Sequence, residues 1–157
     1  MTDNAYRISL HFLQQPQPLR LVLLQQAGLA RYAVFLTQMP LTEGNIHCVM
    51  RFLGEPERVK FPKLQGADLA GLVLDGVNLI RGDLSGADLR GSRLVKGDLL
   101  FARLVGADLR EADLTGTRCN ETLWTQAQVE GCRLGLGIGL TQVQKAELLG
   151  RGALFEA

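Results

Sequence analysis

The sequence predicts an all-β solenoid flanked by short helical segments. Three observations carry the expectation. Leucine falls on every fifth residue from Leu64 to Leu114, eleven in an unbroken run, and the register continues through Cys119, Trp124, Val129 and Leu134. A second register two residues earlier holds mostly small groups: Ala67, Ala87, Ser92, Ala102, Ala107, Ala112 and Ala127, with Gly82 and Gly97. Glycine recurs two residues after the central position, as at Gly66, Gly86 and Gly106.

A spacing of five fits neither the helical period of 3.6 nor the coiled-coil period of 3.5. A strand alternates sides, so two positions two residues apart share an inward face. The next inward pair follows only if the chain turns a corner, and glycine eases such a turn. Repetition of this kind stacks units along one axis.

Within this stretch GADLA (66–70), GVNLI (76–80), GADLR (86–90 and 106–110) and EADLT (111–115) match the A(D/N)LXX signature. The segment therefore resembles the pentapeptide-repeat family. The resemblance implies a right-handed quadrilateral pentapeptide-repeat β-helix with four pentapeptides per coil, hence about four coils. At about 4.8 Å between stacked strands the rod would be only about 20 Å long. Columns then form every 20 residues: alanine at 67, 87, 107 and 127, leucine at 74, 94, 114 and 134, and Leu64, Leu84 and Leu104 above Trp124. Small and large columns facing each other allow close packing. Departures such as Leu72, Val77 and Cys119 fall near the ends, where solenoids meet caps.

The flanks lack the five-residue register. Residues 1–57 are expected as a helical cap or subdomain, 58–136 as the β-helix, and 137–157 as a capping helix and tail. Leu19, Val22, Leu23, Ala27, Ala30 and Val34 suggest one or two helices. Ile46, Val49, Met50 and Leu53 suggest another, started by Thr42 or Asn45 and stopped by Gly54. Val59 to Leu64 is expected to enter the first coil as strand. On the C-terminal side Thr141 and Gln144 form a capping-box pattern. Val143, Ala146 and Leu149 are expected to face the coil, followed by the apolar tail Ala153-Leu154-Phe155. Endings of this kind resemble those of cyanobacterial pentapeptide proteins, which implies such a source.

Bulk composition narrows function. The 157 residues contain 46% hydrophobic, 21% charged and only 6% aromatic side chains, with 18 glycines, as befits one foldable domain with an aliphatic core. Seventeen basic and sixteen acidic residues leave a net charge of +1, which gives no global field to gather nucleic acid or an anionic membrane. Cys48, Cys119 and Cys132 are odd in number and read as buried thiols in a reducing compartment. The N-terminus lacks a signal-peptide layout, and Arg20, Gln25, Gln26 and Arg31 interrupt the most apolar early stretch. A cytoplasmic location and no membrane insertion are expected.

Chemistry-bearing motifs are few. His11 and His47 lie outside the repeat, and His47 beside Cys48 would need further partners to hold a metal. Ser85 and Ser92 have no histidine near them in sequence. LGLGIGL (134–140) lacks the lysine and Ser/Thr of a phosphate loop and reads as a chain reversal where the register slips. Asp68, Asp88 and Asp108 share a column, but Arg90 and Arg110 follow them and predict a solvated, salt-bridged wall. No catalytic, cofactor or metal residue is assigned.

One outward feature stands apart. Ile80, Val95, Leu100, Phe101 and Val105 occupy positions expected to face solvent. They form a candidate protein-binding patch, unless a terminal segment folds over them. The reading is a non-catalytic interaction scaffold with an unidentified protein partner, in which a homodimer is one option. The alternatives are a DNA-mimic inhibitor of a protein such as gyrase, implied by one branch of the family, and a ligand-binding or enzymatic role at the N-terminal region. Residues 62–136 hold nine basic and ten acidic side chains, so the first alternative lacks the negative charge it needs.

Overall fold

The computed structural model describes residues 2–156. The N-terminal part holds α1 (Thr2–Gln14), α2 (Gln17–Ala27), α3 (Ala33–Leu36) and α4 (Glu43–Leu53), with 3-10 turns at Ala30–Tyr32 and Pro56–Arg58. Helix α1 was outside the sequence expectation. Its inward residues Ser9, Phe12 and Leu13 are buried, with Tyr6 and Leu10 partly so, and it packs against α4. Helix α4 begins where Thr42 accepts a hydrogen bond from the Asn45 amide and ends at Gly54, as its pattern predicts.

Helix α2 turns differently from the expectation. Leu19, Val22 and Val34 are each about two-fifths exposed, whereas Arg20 and Leu24 are buried. The reason lies in Arg20, whose guanidinium donates to the carbonyls of Leu13, Gln15, Leu36, Thr37 and Met39. A charge that satisfies five backbone acceptors orients the helix more strongly than exposed aliphatics do. Beneath it, Tyr32, Phe35 and Phe52 pack with ring centroids 5.1–5.9 Å apart, in tilted and edge-on geometry.

From Lys63 the chain winds in steps of twenty. Parallel bridges join Lys63 to Asp83, Asp68 to Asp88, Val73 to Arg93 and Asn78 to Asp98, and the series continues to Asp113 with Arg133. From Leu64 to Cys119 each central residue donates its amide to the carbonyl 19 residues on, as Leu64 does to Asp83 at 2.8 Å. From Asp83 onward the residue before it donates 21 residues back, as Asp88 does to Ala67 at 2.9 Å. Four such sides make one turn. The central leucines fill the bore and are 0–1% exposed from Leu64 to Leu114.

Every corner needs one residue at positive φ. Eight corners use glycine and six use Arg81, Lys96, Phe101, Glu111, Glu121 and Gln126, at φ of 57–62°. Glycine is thus favoured but not obligatory there. Where an aspartate or asparagine precedes a central leucine, it also has a local task. Its Oδ1 accepts the amide two residues on, as Asp88 does from Arg90 and Asn78 from Ile80, which holds the bend.

The first turn of the coil is closed by side chains, and the last is followed by a helix and a short strand. At the first turn, the buried Asn45 amide imitates a strand: Oδ1 accepts from Asp68 N at 2.8 Å and Nδ2 donates to Asp68 O at 3.0 Å. Gln38 does the same for Val73 at 3.1 and 2.8 Å, and Arg51 donates to the carbonyls of Lys63 and Gln65. Side chains thus occupy the ladder groups an open edge would expose. Of the expected entry strand 59–64 only Lys63 bridges; Pro62 has no amide to donate.

At the other end the coil persists further than expected. Cys119 still donates to Ile138 at 2.8 Å, so the 19-residue step runs through most of LGLGIGL before the chain reverses. Gly135, Gly137 and Gly139 all have positive φ, and a Cβ on Gly139 would clash with the Asn120 side chain. Helix α5 (Gln142–Gly150) carries the complete capping box at Thr141 and Gln144. The expected inward face is corrected: Val143, Ala146 and Leu149 are exposed and Leu148 is buried. The tail then returns as β2 (Leu154–Phe155), paired in parallel with β1 (Arg133–Gly135). That pairing requires Ala153 to turn inward, and the helix rotates with it.

Candidate interaction surface

The twenty-residue register fixes where the outward apolar residues stand. Ile80, Arg81, Leu100 and Phe101 share one corner of the coil, one turn apart. Val95 and Val105 occupy the two neighbouring corners, so the five residues do not form a single cluster. Phe101 is 44% exposed, while Ile80, Val95, Leu100 and Val105 are half-buried. The corner is stiff, because both Arg81 and Phe101 sit at the positive-φ position of their turns and each amide is bonded to the next coil.

Two residues missed in the sequence complete this corner. Phe61 is 46% exposed, and the Arg81 guanidinium lies between the Phe61 and Phe101 rings, 5.7 and 4.7 Å from their centroids. The result is a Phe–Arg–Phe ladder along the rod. Leu123, 47% exposed, lies on the adjoining side. The signal was present in the sequence as a twenty-residue spacing of 61, 81 and 101, but Phe61 precedes the first recognisable repeat.

The opposite character prevails on the aspartate wall. Arg90 bonds Asp88 at 2.7 Å and approaches Asp108 at 3.8 Å, and Arg110 bonds Asp108 at 2.7 Å. The Arg90 hydrogen bond holds the Asp88 carboxyl below the usual carboxylate range, and Arg110 does the same for Asp108. These are neutralised, ionised groups without a proton to exchange near neutrality. Burial pushes the thiols of Cys48, Cys119 and Cys132 up to about 12, far from a nucleophile's range. His47 pairs with Glu43 at 3.3 Å on the surface of α4, and His11 is hydrogen-bonded with Gln15. Among the described residues no three of His, Cys, Asp and Glu gather as a metal-holding group. Among them, too, no helix is long and apolar enough to cross a membrane.

The C-terminal segment also leaves apolar side chains exposed. Leu136, Ile138, Val143, Leu149 and Leu154 are 43–68% exposed there.

A comparison with known families finds the same repeats. The family description "Pentapeptide repeats" matches residues 63–95 and 98–123 in eight copies. No curated protein matches the chain. Several solved structures are similar to it over part of its length. A pentapeptide repeat protein of the Arabidopsis thaliana thylakoid lumen shares 24% identity, covering 58% of this chain and 78% of that one, with a TM-score of 0.35. HetL of the cyanobacterium Nostoc, involved in heterocyst differentiation regulation, shares 30% identity over 45% of this chain and 37% of its own, with a TM-score of 0.29. Rfr23 of the cyanobacterium Cyanothece shares 28% identity over 45% of this chain and 51% of its own, with a TM-score of 0.28. The part of the chain that winds as the coil, residues 63–95 and 98–123, thus matches the pentapeptide repeats.

Proposed function

We propose that the protein is a non-catalytic interaction module, and that the corner carrying Ile80, Leu100 and Phe101 docks a protein partner. The right-handed winding implied by the family resemblance, with a helical cap over residues 1–57 and a closing segment over 137–157, is the frame for this reading. The observation that carries it is the exposed Phe101 held on a rigid corner beside half-exposed aliphatics. A fixed aromatic costs little conformational entropy on binding and is the kind of anchor found at interface centres. Val95 and Val105 would lie at the margins of the contact. The three free, buried thiols support a reducing, cytoplasmic setting. The nearly balanced charge of the coil gives the DNA-mimic alternative no support.

A tagged pull-down from the native organism, comparing wild type with Leu100→Asp/Phe101→Asp, tests the proposal. Retention of fold by circular dichroism with loss of a captured partner is the expected result. Capture of the same partner by a folded variant would remove the corner from the interface.

A second reading is favoured by the C-terminal end, where strand β2 is an edge beside five exposed apolar side chains. An unpaired strand edge rimmed in this way suits a second copy of the chain. Light scattering behind size exclusion should then give a dimer for wild type and a monomer for Val143→Asp/Leu149→Asp. A wild-type monomer at high concentration rejects it.

A further inference from the structure

A cavity of about 740 Å³ lies where the N-terminal helices meet the first coil, between the end of α4, the Pro56–Arg58 turn and the entry segment 59–63. Its floor is apolar, formed by Met50, Phe52 and Val59, and Phe61 lines its wall. Its rim is basic: Arg51, Arg58, Lys60 and Lys63 all line it. The one carboxylate in the lining, Glu55, is already bonded to Arg58 at 2.9 Å. Lys60 and Lys63 have no carboxylate within ion-pair distance among the described residues. Arg51 is pinned by the two carbonyls that one of its nitrogens reaches, which orders the guanidinium before any ligand arrives. Phe61 continues from the cavity wall through the Arg81 stack to Phe101, so cavity and docking corner are one surface.

From this arrangement we propose that the cavity receives an acidic segment of the partner, with an apolar side chain on its floor and carboxylates on the basic rim. The inference rests on the reading of the protein as an interaction module and names the chemistry of what it binds. A simple inorganic anion would leave the apolar floor exposed. A neutral apolar ligand would bury cations without compensation, which is costly. A segment that alternates acidic and apolar groups satisfies both, and concave sites lined with one sign of charge concentrate the opposite sign. Running outward from the cavity, it would pass Arg81 and reach Phe101.

The test is selection of a displayed random-peptide library on the full chain, followed by binding of the enriched peptides to variants by fluorescence anisotropy. Enrichment of acidic peptides with an aromatic or aliphatic anchor is expected. Their affinity should fall about tenfold or more in Lys60→Glu/Lys63→Gln and weaken with added salt, as rim charges dictate. Both lysine side chains are exposed, so the variant keeps its fold. Enriched peptides that are neutral or basic, or that bind the variant equally, overturn the proposal. So does an acidic peptide that binds as well after its anchor is replaced by glycine. Peptides that depend on Leu100 and Phe101 but not on the lysines reject the cavity while leaving the docking corner intact. No enrichment at all also counts against the cavity, and the pull-down then decides the corner independently.

Discussion

Arg20 shows how a single residue can decide the packing of a segment. It is 8% exposed, donates to five backbone carbonyls and lies 5.6 Å from the Phe12 ring, with no carboxylate beside it. Burial draws its pKa below the ordinary arginine value, yet carbonyl dipoles keep the guanidinium a useful charge. Those carbonyls belong to the C-terminal ends of α1 and α3 and the loops that follow, where no further helical turn supplies donors. Replacing Arg20 with methionine keeps much of the aliphatic volume and removes every donor. Because an unsatisfied buried carbonyl is costly, a loss of about 2–4 kcal/mol is expected, read as a lower denaturation midpoint. An unchanged midpoint would show that water takes over all five bonds. In the sequence Arg20 reads only as an interruption of an apolar run. Nothing local distinguishes a buried arginine from a solvated one, because its acceptors lie on two other segments.

At the scale of the element, the ends of the coil matter more than its middle. A repeat interior is self-templating, since each turn supplies the ladder partners of the next. The first turn has no predecessor, and Asn45 and Gln38 stand in for one. Asn45 is fully buried and bonds both backbone groups of Asp68, so Asn45→Ala removes donor and acceptor together. The expected cost is about 2 kcal/mol, with faster hydrogen exchange at the Asp68 amide and little change at Asp108, two turns away. Equal acceleration at both amides would mean that the coil opens as one body. The coil itself was legible in the sequence, because a register of five with fixed size classes has few physical solutions. The caps were not. Asn45 looks like a helix-start residue, and its longer-range partner depends on how α4 meets the coil. Likewise the outward turn of Val143 and Leu149 follows from β2 pairing with β1, a contact between segments with no shared pattern. Phe61 was missed for the same reason, since its column is visible only once the first turn is placed.

Across the whole molecule, the aspartate wall links stability to pH. Asp88 and Asp108 are held ionised by Arg90 and Arg110, and their folded pKa values lie below the ordinary one. A group depressed in the folded state contributes stability above its unfolded value of about 3.9, and that contribution is lost as pH falls through the folded value. Thermal midpoints should therefore be steady above about pH 5 and decline on acidification below about pH 4. The repeat signature itself supplies the control, because asparagine is accepted where aspartate stands. Asn78 bonds its turn amide just as Asp88 does, so the bend needs an acceptor oxygen and not a charge. Asp88→Asn/Asp108→Asn should thus fold, lose some stability at neutral pH through its unpaired arginines, and show a shallower decline in acid. Exposure of both arginines keeps the neutral-pH loss small, because solvent screens each surface pair. If the variant loses stability in acid as steeply as wild type, the pH dependence belongs to other carboxylates, and Asp113 with its Thr115 contacts becomes the next to replace.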